Sequence, residues 1–436
     1  MGAIAATVGS AVGLGNIWRF PYEAGANGGG AFLCVYLVFV LVMGIPAIVA
    51  EFVIGRSSHQ NVLGSLRSLA PGKHFHWMSY VCIIASLMIV SFYSVVCGWI
   101  LEYLYQSVTG GLLGHTAEEY SANFASFLSH PWRNLMWTLI FLLINHLVLR
   151  RGLKGGIERI SNLMMPLLAV IMVVFCVRSL LMPGAREGLL FLFRPDFSKL
   201  TPEVAINAMG QAFFSLSLGV SCLLTYASYF KDTDSLMRNA GLVAVFDTLF
   251  AILAGMIIFP AVFSYGTGPE AGPKLIFEVL PNIFGQMAGG ALWSVLFFVL
   301  LLIAALTSAI SMSEISIAFF SEEFKLPRQK ASFLSTLIVV VFGSLCALSF
   351  GVLSDFKIAG MTVFNLFDYL ASNILMPLGG LFFCVFAGWI LDRSVLKRQL
   401  AVATPGGRFL MRALVFCLLY VAPVAIALVF FSGLLK

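Results

Sequence analysis

Apolar residues occur along this chain in stretches of about 20, separated by short polar segments. A helix of that length crosses the hydrocarbon core of a bilayer. The stretches are numbered here as spans 1 to 11 and cover residues 1–24, 30–56, 77–106, 133–150, 156–182, 201–230, 239–266, 291–321, 332–351, 362–392 and 408–434. The pattern predicts an all-α membrane protein with about eleven transmembrane helices.

Composition and charge agree with this class and orient the chain. Of the 436 residues, 60% are hydrophobic and 11% charged, against roughly 25% charged residues in soluble domains. With a cytoplasmic N-terminus, the cytoplasmic side receives about twice as many lysines and arginines as the outer side. We therefore expect the N-terminus inside and the C-terminus outside. The net charge of +6 mostly reflects this bias, so the partner is the lipid bilayer and no nucleic acid is expected.

Cysteine and histidine placement gives no sign of catalytic or metal chemistry. All eight cysteines lie in apolar stretches without metal-type spacing, and the six histidines lie in loops or near span ends. Neither an H-E-x-x-H nor a G-x-S-x-G pattern occurs. These features argue against an intramembrane enzyme or a haem protein.

Span 1 is interrupted by Gly9-Ser-Ala-Val-Gly-Leu-Gly-Asn16, and Arg19 follows. A lipid-exposed helix cannot unwind, because lipid offers its backbone no hydrogen-bond partners. Unwound backbone at this depth therefore predicts a binding cavity. The alternative is close helix packing, which a G-x-x-x-G spacing such as Gly9 and Gly13 favours when it stands alone.

Span 6 carries a second interruption, Gln211-Ala-Phe-Phe-Ser-Leu-Ser-Leu-Gly219. Paired interruptions in corresponding spans indicate a transporter built from repeats, with its site at their interface. We expect a single domain over 1–436, made of a first five-helix repeat (1–182), an inverted second repeat (201–392) and an eleventh helix (408–434). Each repeat would open with a broken helix, span 1 or span 6.

Two loops are predicted to be structured. Residues 114–130 suit a short outer helix capped near Thr116. Residues 269–287 combine three prolines with apolar residues, a pattern that suits a helical hairpin lying over the outer face as a lid.

The motifs together resemble the signature of the neurotransmitter:sodium symporters. The resemblance is carried by Gly9 to Phe20 (Gly-Ser-Ala-Val-Gly-Leu-Gly-Asn-Ile-Trp-Arg-Phe), by Asn27-Gly-Gly-Gly-Ala-Phe32, by Lys154-Gly-Gly-Ile-Glu-Arg159, by Phe214-Ser-Leu-Ser-Leu-Gly219, by Thr225-Tyr-Ala-Ser-Tyr229 and by Ala304-Ala-Leu-Thr-Ser308. It covers essentially the whole chain. The number of spans is similar to the bacterial branch, typified by the leucine transporter, and implies a bacterial cytoplasmic membrane protein.

This resemblance implies two sodium sites. The first would be formed by the Ala11 carbonyl with Asn16, Ser215 and Asp247, and the second by the carbonyls of Gly9, Val12 and Ala304 with the hydroxyls of Thr307 and Ser308. Oxygen ligands of this kind suit a hard cation. The alternative for Thr307 and Ser308 is a bond to the preceding turn's carbonyls, the more frequent role of such residues.

The resemblance also implies an amino-acid site. Its residues would be Ser10, Ala11, Leu14, Gly15, Ile89, Tyr93, Phe214, Ser215, Ser217, Val220, Ser308 and Met312. Backbone N–H groups of Leu14 and Gly15 would hold the carboxylate. Glycine at position 13, where monoamine carriers have an aspartate, implies a substrate with its own carboxylate. Val220 and Met312 suggest room for a larger apolar or aromatic side chain.

The remaining predicted roles concern gating, support and chloride. Arg19 and Asp368 would form an outer gate pair above Tyr93 and Phe214, while Glu51 and Gln211 would support the structure. We expect Glu51 to accept backbone N–H bonds from the break in span 6. Asp247 would be a sodium ligand, a substitute for chloride, or both, and we expect transport without chloride.

One departure from the family concerns the inner gate. Family members have a longer basic segment before span 1, with an arginine that pairs with an acid at the position of Glu322. Met1 lies only eight residues before Gly9, so either the true start is upstream or the inner gate is looser.

These features predict a sodium-coupled symporter that imports a neutral, hydrophobic or aromatic amino acid by alternating access. A non-transporting amino-acid sensor on the same fold is the alternative. Uptake into proteoliposomes, compared with binding alone, separates the two.

Overall fold

The computed structural model describes residues 2–266, 275–400 and 405–435. Within these ranges the secondary structure is helical, and the one β contact is an isolated bridge between Ile358 and Met361. The predicted all-α class is therefore confirmed.

Nine helices in the described residues are long and apolar enough to cross a membrane. They correspond to spans 2 to 5 and 7 to 11, and are Gly30–Ser58, His74–Thr109, Pro131–Leu149, Gly156–Leu180, Leu236–Ser264, Gly290–Glu323, Arg328–Leu348, Val363–Ile390 and Arg408–Leu434. Their ends lie within a few residues of the predicted ends, because apolar length is the main determinant of such a helix.

Spans 1 and 6 are broken, as predicted. Span 1 consists of an inner helix, Gly2–Ala11, and an outer half that begins with the π-helical turn Gly15–Arg19. Span 6 consists of Pro202–Ser215 and Cys222–Ala227. The breaks leave each piece too short to span alone, and with these two spans the fold is consistent with eleven crossings.

Several spans contain a π-helical turn that ends just before a proline. In span 2 the turn Val40–Gly44 precedes Pro46, and in span 10 the turn Leu370–Leu375 precedes Pro377. Proline has no N–H to donate and its ring crowds the preceding turn. The preceding turn therefore widens, and such turns often lie at functional sites.

The broken spans lie at the centre of the fold. The inner half of span 1 packs against spans 5, 7 and 8 and against the inner half of span 6, while its outer half contacts spans 6 and 7. Spans 3 and 8 pack along each other beside them. The breaks are therefore enclosed by protein, as unwound backbone within a membrane requires.

Both structured loops contain helices. The predicted outer helix is Ala117–Ser129, and its capping box joins the Thr116 hydroxyl to the Glu119 N–H at 3.3 Å and the Glu119 carboxylate to the Thr116 N–H at 2.8 Å. In the predicted lid, helical turns cover Leu275–Val279 and Leu280–Gln286, while Pro269 and Pro273 lie outside the described residues. Phe277 of this loop stacks on Phe124 of the outer helix with ring centres 5.1 Å apart.

Candidate functional site

Two features accompany the break in span 1: a changed hydrogen bond at Gly13 and a close approach of Gly13 to span 8. The Val12 N–H still donates to the Val8 carbonyl at 3.0 Å, but the Gly13 N–H turns to the Asn16 side chain at 2.9 Å. A Cβ atom at Gly13 would lie 2.2 Å from the hydroxyl oxygen of Ser308. A larger residue here would require the Ser308 side chain or the unwound backbone to shift.

The two glycines of the G-x-x-x-G spacing face different neighbours. Gly9 lies against Met165 of span 5, whereas Gly13 lies against Ser308 of span 8. They do not form one packing surface for a single helix, which removes the alternative interpretation of this motif.

The break in span 6 contains three residues with left-handed backbone: Ser217 (φ +53°), Gly219 (φ +86°) and Ser221 (φ +64°). Glu51 of span 2 supports it by accepting the Gly219 N–H at 2.8 Å and the Leu224 N–H at 3.3 Å. Its side chain is buried, so both carboxylate oxygens satisfy backbone groups that the break releases. This is the hydrogen-bonding arrangement expected from the sequence.

A cavity of about 50 Å³ lies between the two breaks. It is lined by the residues predicted for the substrate site, except Ser10 and Val220, together with Gly13, Val90, Phe92, Ala309 and Met376. Val90, Phe92 and Ala309 are each next in the chain to a predicted substrate residue. Their proximity in sequence could have identified them as candidates. Met376 is a methionine within an apolar span, and no local pattern distinguishes it.

Ser10 and Val220, also predicted for the substrate site, do not line this cavity. Ser10 still belongs to the inner helix of span 1, where its hydroxyl donates to the Thr7 carbonyl at 2.8 Å. Val220 lies between two residues with left-handed backbone and is completely buried.

A buried polar cluster joins spans 1, 2, 6 and 7. The Asn16 amide donates to the Ser215 hydroxyl at 3.0 Å and to the Asp247 carboxylate at 2.7 Å. The Ser215 hydroxyl lies 2.9 Å and 3.0 Å from the two carboxylate oxygens of Asp247. Tyr36 donates to the same carboxylate at 3.1 Å and was not predicted, because a tyrosine in an apolar stretch carries no signal.

The residues predicted for the second sodium site lie on spans 1 and 8. The Thr307 hydroxyl lies 3.2 Å from the Ile303 carbonyl and 3.0 Å from the Ala304 carbonyl. The Gly13 contacts with Ser308 and Ala304 bring the break of span 1 to this part of span 8. Gly9 and Val12 precede that contact in the chain.

A larger vestibule of about 690 Å³ lies above the cavity and shares Leu14, Gly15, Phe92, Tyr93 and Phe214 with it. Arg19 and Asp368 both line the vestibule. They do not form the expected pair: Arg19 contacts Glu23 at 3.6 Å, and the Asp368 carboxylate accepts the Ser372 hydroxyl at 2.9 Å. Both predicted gate residues therefore border the same open space without an ion pair between them. Gln211 joins the broken spans by donating to the Gly15 carbonyl at 2.9 Å.

Acidic residues near the inner side have partners that local sequence did not reveal. Glu322 accepts the backbone N–H and the side-chain amide of Asn61 at 2.7 Å and 2.8 Å. Buried Glu314 receives two bonds from Arg328, at 2.8 Å and 2.6 Å, and one from Tyr229 at 3.1 Å. Such two-bond arginine–carboxylate pairs are geometrically specific.

Near the outer side, Glu102 is fully buried and receives two bonds from Arg133, at 2.9 Å and 2.6 Å. The two opposite charges form a pair inside the protein. Such pairing is expected because an isolated charge in a membrane is energetically costly.

Comparison with known proteins agrees with this architecture. Residues 1–130 and 128–436 match the sodium:neurotransmitter symporter family. An uncharacterized sodium-dependent transporter of Bacillus subtilis, YhdH, is 40% identical over 432 residues, which cover 99% of this chain and 96% of that protein. An uncharacterized sodium-dependent transporter of Haemophilus influenzae is 35% identical, with 98% and 95% covered.

The crystal structure of MhsT in complex with L-phenylalanine superposes with a TM-score of 0.90 at 42% identity, covering 99% of this chain and 98% of MhsT. Family match, relatives and fold agree along the whole length. The chain therefore belongs to the sodium:neurotransmitter symporter family and is a multi-pass, sodium-dependent membrane transporter.

Proposed function

We propose that this protein is a symporter that imports a neutral, hydrophobic or aromatic amino acid with sodium by alternating access and without chloride. Its N-terminus would lie in the cytoplasm of a bacterial cell, as the loop charges favour. The central cavity offers three subsites, one each for a carboxylate, an ammonium group and an apolar side chain.

A carboxylate subsite lies where the outer half of span 1 begins. Leu14 and Gly15 are at the first turn of this half, so their N–H groups have no carbonyl partner within the helix. The positive end of the helix dipole adds to their attraction for an anion. The buried Tyr93 hydroxyl lies near the Leu14 N–H and the Ser308 side chain and can donate to the same carboxylate.

An ammonium subsite lies opposite, at the other break. Ala11, Phe214, Ser215 and Ser217 line the cavity. Their carbonyl or hydroxyl oxygens can accept hydrogen bonds from an ammonium group. Gly13 adds no acid to this region, so a zwitterionic α-amino acid supplies both charges itself.

The rest of the cavity is apolar. Ile89, Val90, Phe92 and Met312 lie on its wall, and apolar walls with few polar groups are typical of small-molecule sites. The similarity to MhsT, whose structure contains L-phenylalanine, supports a substrate with a hydrophobic or aromatic side chain.

Two sodium ions would bind beside this cavity. The oxygens of Ala11, Asn16, Ser215 and Asp247 would hold the first, next to the substrate carboxylate. The second would be held by the oxygens of Gly9, Val12, Ala304, Thr307 and Ser308. Each charge moved through 100 mV supplies about 2.3 kcal/mol, roughly a 50-fold concentration gradient.

Chloride independence is proposed from the surroundings of Asp247. Three groups donate to its carboxylate, from Asn16, Ser215 and Tyr36. Donors converging on one point suit an anion, and here a fixed carboxylate takes that place. Asp247 would thus supply a sodium ligand and also the negative charge that chloride provides in other members of the family.

The open vestibule above two broken helices is the observation that carries this proposal, since it adjoins the cavity and shares Leu14, Gly15 and Phe214 with it. The test is uptake of radiolabelled L-phenylalanine into proteoliposomes with an inward sodium gradient. Uptake above equilibrium that disappears when the gradient is removed is expected. Sodium-dependent binding without any uptake would instead show a sensor.

A further inference from the structure

Span 10 approaches the break in span 6 unusually closely, because glycines occupy the contact. A Cβ atom at Gly219 would lie 2.1 Å from the Met376 carbonyl oxygen, and one at Gly379 would lie 1.9 Å from the Gly219 carbonyl oxygen. A Cβ atom at Gly380 would lie 2.5 Å from the ring of Phe213. Any larger residue would push span 10 away from the unwound backbone.

This approach brings Met376 to the substrate cavity. Met376 follows the π-helical turn Leu370–Leu375. A π-helical turn contains one residue more than an α-helical hydrogen-bonded turn, so residues four apart stay close to one face of the helix. Asp368 and Ser372 line the vestibule, and Met376, four residues further on, lines the cavity below. One face of span 10 therefore borders the pathway from the vestibule to the substrate site.

The wall of the side-chain subsite consequently differs from the one that the sequence motifs predict. Val220, in the signature segment of span 6, is completely buried and does not line the cavity, whereas Met376 does. Met312 of span 8 also lines it. Two methionines from different spans thus contribute to one small cavity.

The size of the cavity makes flexible walls necessary. Its volume of about 50 Å³ is far below the roughly 300–1,000 Å³ of small-molecule sites. A bound amino acid must therefore displace parts of the wall. Methionine is unbranched and flexible, so its side chain can move to admit a substrate up to a certain size.

We propose that Met376 is a specificity-determining residue that, with Met312, limits the size of the substrate side chain that the cavity admits. This inference rests on the proposed function, because it concerns the amino acid bound in that same cavity. It assigns span 10 a role in substrate selection in addition to its role beside the vestibule.

The test compares Met376→Ala with the unaltered protein, using L-tryptophan, L-phenylalanine and L-valine as probes. Half-saturating concentrations are measured by thermal stabilisation of the purified protein in saturating sodium. We expect Met376→Ala to lower the half-saturating concentration of L-tryptophan relative to that of L-valine at least fivefold. The shorter side chain leaves more room for the larger substrate. Met376→Val gives the same test if the alanine variant is too unstable to purify.

Two controls separate selection from general damage. Met376→Leu preserves volume and should keep the ratio within about twofold. Leu378→Ala removes a similar volume from the same helix at a residue that does not line the cavity, and should also leave the ratio unchanged.

A uniform change for all probes, or an unchanged ratio in Met376→Ala, would overturn the inference while leaving the proposed function intact. An unaltered protein that shows no sodium-dependent binding of any probe would overturn the proposed function and this inference with it.

Discussion

The guanidinium group of Arg19 lies 4.3 Å from the centre of the Phe214 ring, at the boundary between the vestibule and the substrate cavity. A cation over an aromatic face is attracted by the ring's electron density. The contact holds Arg19 beside the entrance, and Asp368 lines the same vestibule. We expect these two charged groups to pair when the vestibule closes.

Asp368→Asn should therefore impair transport more than binding. Loss of the closing ion pair is expected to lower the uptake rate about tenfold, equivalent to about 1.4 kcal/mol, while the half-saturating amino-acid concentration changes less than threefold. The measurement is initial uptake in proteoliposomes alongside binding to the purified protein. Asp196→Asn, at an exposed outer-loop acid, is the matched control and should retain normal uptake. Equal rates for Asp368→Asn and the control would contradict the gating role.

Gly13→Ala should abolish amino-acid binding. The added methyl group would lie 2.2 Å from the Ser308 hydroxyl oxygen, so this cavity-lining hydroxyl or the break in span 1 would have to shift. We expect at least a 100-fold weaker sodium-dependent stabilisation by L-phenylalanine. Gly210→Ala is the control, since a Cβ atom there would meet nothing within 4 Å. Binding retained by Gly13→Ala would show that the close contact with span 8 is not required.

Asp247→Ser should make transport respond to chloride. Removing the carboxylate leaves the donors of Asn16, Ser215 and Tyr36 without their anion. Uptake by this variant should fall at least tenfold in gluconate and recover in part with chloride, whereas the unaltered protein is equally active in both. Asp355→Ser, at an exposed outer acid, serves as the control. Chloride-stimulated uptake by the unaltered protein, or a variant indifferent to chloride, would argue against the proposal.

Thr307→Val should weaken sodium binding. If the Thr307 hydroxyl ligates an ion, the sodium concentration for half-maximal stabilisation should rise about tenfold, which corresponds to about 1.4 kcal/mol. If the hydroxyl only bonds to the Ile303 and Ala304 carbonyls, sodium dependence should not change. Ser344→Ala removes a comparable bond to the Val340 carbonyl in span 9 and shows the effect of such a bond alone. A similar response from both variants would exclude Thr307 as a ligand.

Local sequence patterns were sufficient to predict the membrane class, the approximate helix ends and the two breaks. Apolar length specifies a spanning helix, and the glycines with Asn16 specify where span 1 unwinds, because both effects are local. The capping box at Thr116 is local in the same way. The substrate residues were predicted through a resemblance whose motifs lie close to the breaks.

Which residues of separate spans contact each other became known from the tertiary structure. It placed Met376 on the cavity wall and Val220 inside the protein, and it gave Glu314 its partner Arg328. Each outcome depends on how closely and in which rotation two helices pack. Helix packing depends on contacts between residues far apart in the chain, such as Gly219 and Gly379. A local sequence pattern does not contain such contacts.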